Sequence, residues 1–377
     1  MSWRLGRWLD RVAARRAEDA GNGTRDWGPF WSRRGSCSTG KVDVATTQVQ
    51  VLRGRQVPLG GIRAMYVRRT LPHRNRSFVG AWCFVDHYGP DEIDPQTDPE
   101  TGGGMDLPPH PHTGLQTVSW LFEGELEHRD SGGAAGLIRP GEVNLMTSGA
   151  GIAHSEVTTS GTTRLHGVQL WVALPDSARA TRRDFQHHAP AEIELRGVGS
   201  ARVFVGELAG IDRSPVRTFT PLLGAEVTLH PGAAVALAVD TAYEHGVLLD
   251  TGEVSVEDVP IAPGDLACVD AGPERLRLRA GAAGARLLLL GGEPFEEEIV
   301  MWWNFVGRSH DEIVAYRQGW EAGSIRFGTV KGYAGPVARI PAPPLPAVRL
   351  RPRGRRGPAG ADGPVVTDDE VAAVAEA

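Results

Sequence analysis

Cysteine is scarce in this chain of 377 residues, and the scarcity excludes several kinds of site. The three cysteines, Cys37, Cys83 and Cys268, are far apart, and no CxxC spacing occurs. The sequence therefore gives no basis for a disulfide framework or a thiolate zinc site. A reducing compartment is the simplest setting for such a chain, so we predict a cytoplasmic protein.

Long apolar runs and an excess of positive charge are also missing. No run of about 18 apolar residues occurs, so we expect no membrane span. The N-terminus lacks the apolar core of a secretory signal peptide. The formal net charge is −6, whereas nucleic-acid-binding domains are strongly basic, and we therefore expect no direct contact with nucleic acid.

Glycine and proline, by contrast, are frequent, with 48 and 27 residues. From about residue 45 they separate short segments rich in β-branched and aromatic residues, which is typical of an all-β sandwich or barrel. After a polar stretch the same pattern returns. We predict two β domains, 45–185 and 206–330, joined by a connection at 186–205. A Pro-Gly-acid turn in each, at 140–142 and 263–265, hints at a duplicated architecture.

The two ends of the chain have a different composition. Residues 1–44 are predicted to be a largely disordered extension, although Leu5, Trp8, Leu9 and Val12 have the spacing of a short amphipathic helix for a membrane surface or a partner. Residues 331–377 are rich in proline and arginine and are predicted to be a disordered tail.

One helix is predicted, at 309–321, within the second domain. Ser309 and Glu312 have the spacing of a capping box at its start. Three large residues fall on one face of this helix and would be buried: Ile313, Tyr316 and Trp320.

Two pairs of polar residues are candidate metal ligands. His110 and His112 are two residues apart, as are His154 and Glu156, and in a strand such residues point to the same face. Two hairpins of chain separate the pairs, so a small barrel could bring them together. Imidazole and carboxylate ligands suit iron, manganese, copper or nickel. The alternative is a set of hydrogen-bonded histidines that bind no metal.

These pairs lie in motifs that resemble a known family. Gly104, the HPH pair and Gly124 resemble the first cupin motif, and Gly151 with His154 resembles the core of the second. The segments HPHTGLQTVSWLFEGELEHRDS, LIRPGEVNLMTSGAGIAHSE and HGVQLWVALP resemble the pirin family, as does VPLGGIRAMYVRRTLP. The resemblance covers about 47–325.

The resemblance to pirins implies a bicupin, with two cupin (double-stranded β-helix, or jelly-roll) barrels packed in one chain. It implies one divalent metal in the first barrel, Fe(II) by family precedent, with Mn, Cu, Ni or Zn as alternatives. The implied ligands are three histidines and a glutamate: His110, His112, His154 and Glu156. In the second barrel, His230 and His245 are isolated, so we predict that this barrel binds no metal.

Three further residues are candidates for the pocket around the metal. Gln116 stands where many pirin-like sequences have a glutamate. His128 either faces the pocket or is a hydrogen-bonded hairpin histidine. Asp86, with His87 beside it, either orients a ligand or caps a loop.

Two functions follow from the resemblance. The first is a dioxygenase that cleaves quercetin, another flavonol or a related small aromatic or enediol substrate with O2, with Glu156 accepting the substrate proton. The alternative is a non-catalytic, redox-sensing regulator that acts through contact with a protein partner and uses the same ligands. A third interpretation is a bicupin acting on an unknown small metabolite.

Overall fold

The computed structural model describes residues 47–59, 65–93 and 104–355. The predicted N-terminal extension lies outside these ranges, as do residues 356–377 of the predicted tail. The described residues form 23 strands and one α-helix, which confirms the all-β prediction.

The first barrel consists of eleven antiparallel strands in two facing sheets. Seven form one sheet in the order β12-β9-β6-β11-β4-β3-β2, and four form the other in the order β5-β10-β7-β8. Their bounds are β2 Arg55–Leu59, β3 Met65–Leu71, β4 Trp82–Glu92, β5 Asp106–His112, β6 Leu115–Glu123, β7 Leu126–Asp130, β8 Ala135–Ile138, β9 Val143–Thr147, β10 Ile152–Thr158, β11 Arg164–Ala173 and β12 Asp184–His188. Since β5 and β10 are neighbours, the two pairs of polar residues lie side by side.

The second barrel contains ten antiparallel strands. Their bounds are β1 Val49–Leu52, β13 Ile193–Glu194, β14 Gly199–Leu208, β15 Asp212–Arg213, β16 Leu222–Leu229, β17 Ala234–Ala238, β18 Glu244–Val256, β19 Val259–Ile261, β20 Leu266–Val269 and β21 Arg275–Gly292.

The strands depart from the predicted domain bounds in two places. β1 precedes the first barrel in sequence but pairs with β20 of the second, where it buries Leu52 and covers an edge that would otherwise be exposed. The predicted connection at 186–205 contains the end of β12, all of β13 and the start of β14. β12 and β13 are half-buried edge strands, and their weak apolar pattern explains why the sequence suggests a linker.

The two barrels share a hydrophobic core. Trp82 of β4 donates its indole N–H to the carbonyls of Leu223 and Gly291 in the second barrel. Trp120 of β6 stacks on Phe204 with ring centroids 4.7 Å apart. Both tryptophans are fully buried, and each buried side chain of this size contributes about 2–3 kcal/mol or more to stability. The barrels therefore form one structural unit.

A helix and a short hairpin from the C-terminal part pack on the first barrel. The hairpin consists of β22 Val300–Trp302 and β23 Phe305–Gly307, and the helix is α1 His310–Glu321. Ser309 caps the helix by accepting a hydrogen bond from the Glu312 backbone N–H, as predicted. Ile313 and Trp320 are buried, whereas Tyr316 is half-buried, in a cluster that includes Ala153 of β10. Within the described part of the chain, no helix is long and apolar enough to cross a membrane.

Residues 331–355 differ from the disordered tail predicted for this part of the chain. The Ile340 backbone N–H donates to the Pro109 carbonyl of β5 at 2.9 Å, and the Tyr333 hydroxyl donates to Asp106 at 2.9 Å. Proline prevents a regular strand here, but an extended segment still packs through its backbone and its few large side chains. Composition alone does not indicate this packing.

Candidate metal centre

Antiparallel pairing of β5 and β10 brings the predicted ligands together. His154 lies opposite His110, and Ile152 lies opposite His112. Because alternate residues share a face, His110, His112 and His154 all point to one place inside the barrel. The register shifts between His154 and Glu156, so a bulge sets the direction of the glutamate relative to the histidines.

The three imidazoles have the separations of ligands to one cation. Each offers a ring nitrogen within 4.8 Å of the others. The Nε2 atoms of His112 and His154 are 3.1 Å apart. Two nitrogens at about 2.1 Å from a metal, at right angles, would be about 3 Å apart. The observed separation therefore fits two neighbouring ligands.

Hydrogen bonds fix the orientation of two of these rings. His110 Nδ1 lies 2.9 Å from the Pro108 carbonyl oxygen, and His112 Nδ1 lies 3.1 Å from the Asn304 carbonyl oxygen. A carbonyl oxygen only accepts hydrogen bonds, so each Nδ1 carries the proton and donates. The Nε2 of an uncharged ring then has its lone pair free, which is the form that binds a metal.

Burial keeps these histidines uncharged near neutral pH. It lowers the pKa of His110 to about 4 and holds the pKa values of His112 and His154 well below their usual range. Their residues are at most 6% exposed. The donor set therefore needs no deprotonation at neutral pH, and its chemistry fits a divalent first-row cation.

Glu156 lies next to the three histidines. One of its carboxylate oxygens forms a second group with ring nitrogens of His128 and His154, all within 4.8 Å, so His154 belongs to both groups. Ser119 of β6 donates to Glu156 at 3.1 Å, and the same hydroxyl lies 2.9 Å from the Gln169 amide. Burial raises the pKa of Glu156.

Of the predicted pocket residues, only His128 lies in contact with a candidate ligand. Its Nδ1 is 3.4 Å from Nδ1 of His154. Gln116 is in a different place, because in β6 it has the opposite parity to Ser119 and faces away from Glu156. Its amide donates to Thr147 at 3.0 Å and to the Arg217 carbonyl at 3.4 Å, and not to Glu156.

Asp86 forms a paired hydrogen bond with Arg69, at 2.7 and 2.8 Å. Its cross-strand partner is Gln169, whose amide contacts Ser119. Asp86 thus belongs to the same polar wall as Glu156 but is separated from it by two side chains. Asp86 lies within β4 and therefore does not cap a loop.

A further group of metal-binding residue types joins the two barrels. His87, His166 and Asp250 lie within bonding reach of one another, with the Nε2 atoms 2.8 and 2.7 Å from the same Asp250 oxygen. Burial acts to raise the pKa of Asp250, but hydrogen bonds from the histidines and the charge of Arg286 hold it well below its usual range.

Hydrogen bonds account for three of the four ring nitrogens of this inter-barrel group, and His87 Nδ1 is buried without a hydrogen-bond partner. An ionised Asp250 only accepts, so both Nε2 atoms carry protons, and Arg286 faces Nδ1 of His166 at 3.4 Å as a donor. The nitrogens that would bind a metal are therefore protonated. This is the reverse of the arrangement at His110 and His112, and it favours the first barrel's interior as the metal site.

Several residues of the site are not evident from motifs. Trp171 of β11 packs edge-on to His112, with ring centroids 5.1 Å apart, and stacks on Phe84 at 4.0 Å. Asn304 contributes only a backbone carbonyl. Side chains alternate between the two faces of the strand LQTVSWLF, which puts Ser119 on the face opposite Gln116. This alternation is a sequence signal that could have identified Ser119. No comparable signal exists for Asn304, which is 192 residues from His112.

The second barrel has a buried histidine without a companion. His245 of β18 is 1% exposed, and burial lowers its pKa to about 4. Its strand neighbours on the same face, Val247 and Leu249, belong to an apolar core. That the second barrel binds no metal stays a prediction.

The buried histidines predict that the metal-free protein is sensitive to acid. His110 and His245 have pKa values of about 4 when folded and about 6.5 when unfolded. Between these values the unfolded chain binds more protons, so stability is lost as pH falls, by about 1.4 kcal/mol per pH unit for each group. The pKa of Glu156 is raised in the folded protein, so this one carboxyl adds stability as pH falls and partly offsets the effect of the histidines.

We therefore expect the free energy of unfolding of the metal-free protein to fall between pH 6.5 and 5, as measured by urea titration. In a His245→Leu variant the free energy of unfolding should fall less over the same pH range, because one buried histidine is removed. Equal stability at pH 6.5 and pH 5 would contradict the assignment of these rings as buried and uncharged.

Two antiparallel barrels in one chain, the first with a convergent histidine cluster, define a bicupin with a candidate metal centre. The pirin family matches residues 64–172, and the pirin C-terminal cupin domain matches residues 224–328. The chain belongs to the pirin family, which confirms both the family resemblance and the bicupin fold.

Relatives and solved structures agree with this assignment. A Pseudomonas aeruginosa protein provisionally named a quercetin 2,3-dioxygenase is 42% identical over 299 residues, or 79% of this chain and 91% of that protein. A pirin-like protein of Caulobacter vibrioides is 37% identical, covering 69% of this chain and 90% of that one. The crystal structure of quercetin 2,3-dioxygenase from Acinetobacter baumannii is 36% identical with a TM-score of 0.74, and the match covers 81% of this chain and 97% of that chain.

Proposed function

We propose that this chain is a metal-dependent dioxygenase of the quercetin 2,3-dioxygenase type, working in the cytoplasm on a flavonol or related enediol. The observation that carries the proposal is the convergence of three uncharged imidazoles, two of them with free Nε2 lone pairs, beside a buried glutamate. The names of relatives at 42% and 36% identity support the reaction type.

We propose His110, His112, His154 and Glu156 as the metal ligands and Fe(II) as the metal, with Mn, Cu, Ni or Zn as alternatives. A bound cation would supply Lewis acidity and, in the case of iron, the one-electron chemistry that reactions with O2 need. The fit rests on the donor set, because neutral imidazole and carboxylate are the ligands such metals take.

The chain's own residues would supply binding and proton transfer. A planar aromatic substrate would lie against Trp171, which packs edge-on to His112. Glu156 would accept the proton of a substrate hydroxyl at its carboxylate. Ser119 holds that carboxylate by a hydrogen bond, and the surrounding burial excludes water.

One observation favours the alternative, a redox-sensing regulator that acts through a protein partner. His110, His112 and His154 are only 6%, 2% and 1% exposed, so the surrounding protein has to open before a substrate reaches these residues. A regulator needs no such opening. The two functions use the same ligands, so only a reaction separates them.

The test is oxygen uptake by anaerobically purified, iron-loaded protein with quercetin and a panel of enediols and catechols. We expect uptake with at least one compound and none from the metal-free protein. At saturating iron, Glu156→Gln should lower the rate by about 100- to 10,000-fold, because the base is lost.

Glu127→Gln is a suitable control for this rate, since Glu127 is partly exposed on β7 and pairs with Arg129. It should react like the unmodified protein. Absence of uptake with every compound, from protein that has bound iron, would contradict the dioxygenase and favour the regulator.

A further inference from the structure

We infer that Asp130 and His128 position His154 as a metal ligand through a chain of hydrogen bonds that runs from carboxylate to imidazole to imidazole. The inference rests on the proposed metal centre, and it assigns a role to two side chains that are not themselves ligands. His154 is the one candidate histidine ligand whose Nδ1 faces another side chain rather than a backbone carbonyl.

The strand order makes this chain of contacts. β10 lies between β5 and β7, and its pairing with β7 puts Asp130 opposite His154 and His128 opposite Glu156. His128 and Asp130 are two residues apart, so they share a face. His128 Nδ1 is 3.4 Å from His154 Nδ1, and His128 Nε2 is 3.3 Å from Asp130 Oδ2.

The direction of each proton follows from the carboxylate. An ionised Asp130 only accepts, so His128 donates through Nε2–H. With its proton on Nε2, His128 presents the lone pair of Nδ1, which accepts from Nδ1–H of His154. The proton of His154 is thereby held on Nδ1, and its Nε2 lone pair is free, 3.1 Å from Nε2 of His112. All three histidines thus reach the same metal-binding form, two through carbonyls and one through side chains.

The chain is held rigidly. Asp130 Oδ1 accepts from the backbone N–H groups of Gly132 and Ala134 at 2.7 and 3.1 Å, which fixes the carboxylate. Phe185 stacks on the His128 ring, with centroids 4.6 Å apart and planes at 21°. His128 and Asp130 are 2% and 4% exposed, so water does not easily replace either partner.

The sharpest variant is Asp130→Asn. Asparagine keeps an oxygen for the two backbone N–H groups, so the turn is preserved. Its NH2 group then faces His128 Nε2, which reverses the proton positions along the chain and puts a proton on His154 Nε2. We expect metal affinity to fall about 10- to 100-fold, the range for lost support of a metal ligand.

Variants of His128 test the same chain from its middle. His128→Leu removes both hydrogen bonds and should weaken binding about as much as Asp130→Asn. His128→Gln should keep most of the affinity, because its amide oxygen can accept from His154 while its NH2 donates to Asp130. In a His128→Leu background, Asp130→Asn should have no further effect, since the connection is already broken.

The measurement is a Co2+ titration of the metal-free full chain, with affinity and the visible Co2+ absorption spectrum as readouts. The spectrum should change in Asp130→Asn and His128→Leu, and Glu127→Gln should match the unmodified protein. Affinities of both variants within about threefold of the unmodified protein would overturn the inference. So would complete loss of binding in His128→Leu, which would make His128 a ligand. If the unmodified protein binds no Co2+, the metal centre itself fails instead.

Discussion

Replacing His112 by alanine should remove most of the bound metal. His112 Nε2 lies 3.1 Å from His154 Nε2, and the ring is held by the Asn304 carbonyl, so the loss of His112 leaves a gap in the donor set. We expect at least a 100-fold loss of affinity, more than the roughly 10- to 100-fold typical of residues that only support a ligand. Elemental analysis of protein purified under identical conditions measures it.

His245→Ala provides the matched control, because it also removes a fully buried imidazole from a β-barrel. It should keep the metal content of the unmodified protein. A His112→Ala protein with a full complement of metal would move the site elsewhere. A sharp loss of metal in His245→Ala would contradict the prediction that the second barrel is metal-free.

Replacing Asp250 by alanine should destabilise the protein more than any single change at the metal site. Asp250 of β18 joins the two barrels by accepting from His87 and His166 at 2.8 and 2.7 Å, and it balances the charge of Arg286. Its removal leaves a partly buried cation and two buried N–H groups without an acceptor. We expect a loss of about 3–5 kcal/mol in the free energy of unfolding, measured by urea titration.

Glu253→Ala, at an exposed position on the same strand, should change stability by no more than about 0.5 kcal/mol. The metal content per folded molecule of Asp250→Ala should stay unchanged, because the inter-barrel group holds protonated nitrogens. A loss of metal without a loss of stability would show that this group is itself a metal site.

The fold class and the core of the candidate site could be predicted from sequence because both depend on local periodicity. Residues i and i+2 of a strand point to the same face, whatever the rest of the chain does. His110 and His112 therefore point in the same direction wherever β5 lies. The same rule, applied to the alternation within β6, puts Gln116 and Ser119 on opposite faces. The motif analogy suggested Gln116 as a pocket residue, whereas strand parity puts it on the face away from Glu156.

The supporting contacts could not be predicted, since they join residues far apart in sequence. His112 depends on a carbonyl at position 304, and His87 depends on a carboxylate at position 250. β1 pairs with a strand of the second barrel, and residues 331–355 pack on β5. Both outcomes likewise depend on which edge each segment covers. Composition describes a segment alone, whereas these outcomes depend on its partner.

The most direct test of the metal centre is an anomalous difference map from a crystal of the iron-loaded protein, recorded at the iron absorption edge. We predict one peak in the first barrel, about 2.0–2.2 Å from Nε2 of His110, His112 and His154 and from a carboxylate oxygen of Glu156. A peak between His87, His166 and Asp250, or an iron-loaded crystal with no peak near the three first-barrel histidines, would contradict the account.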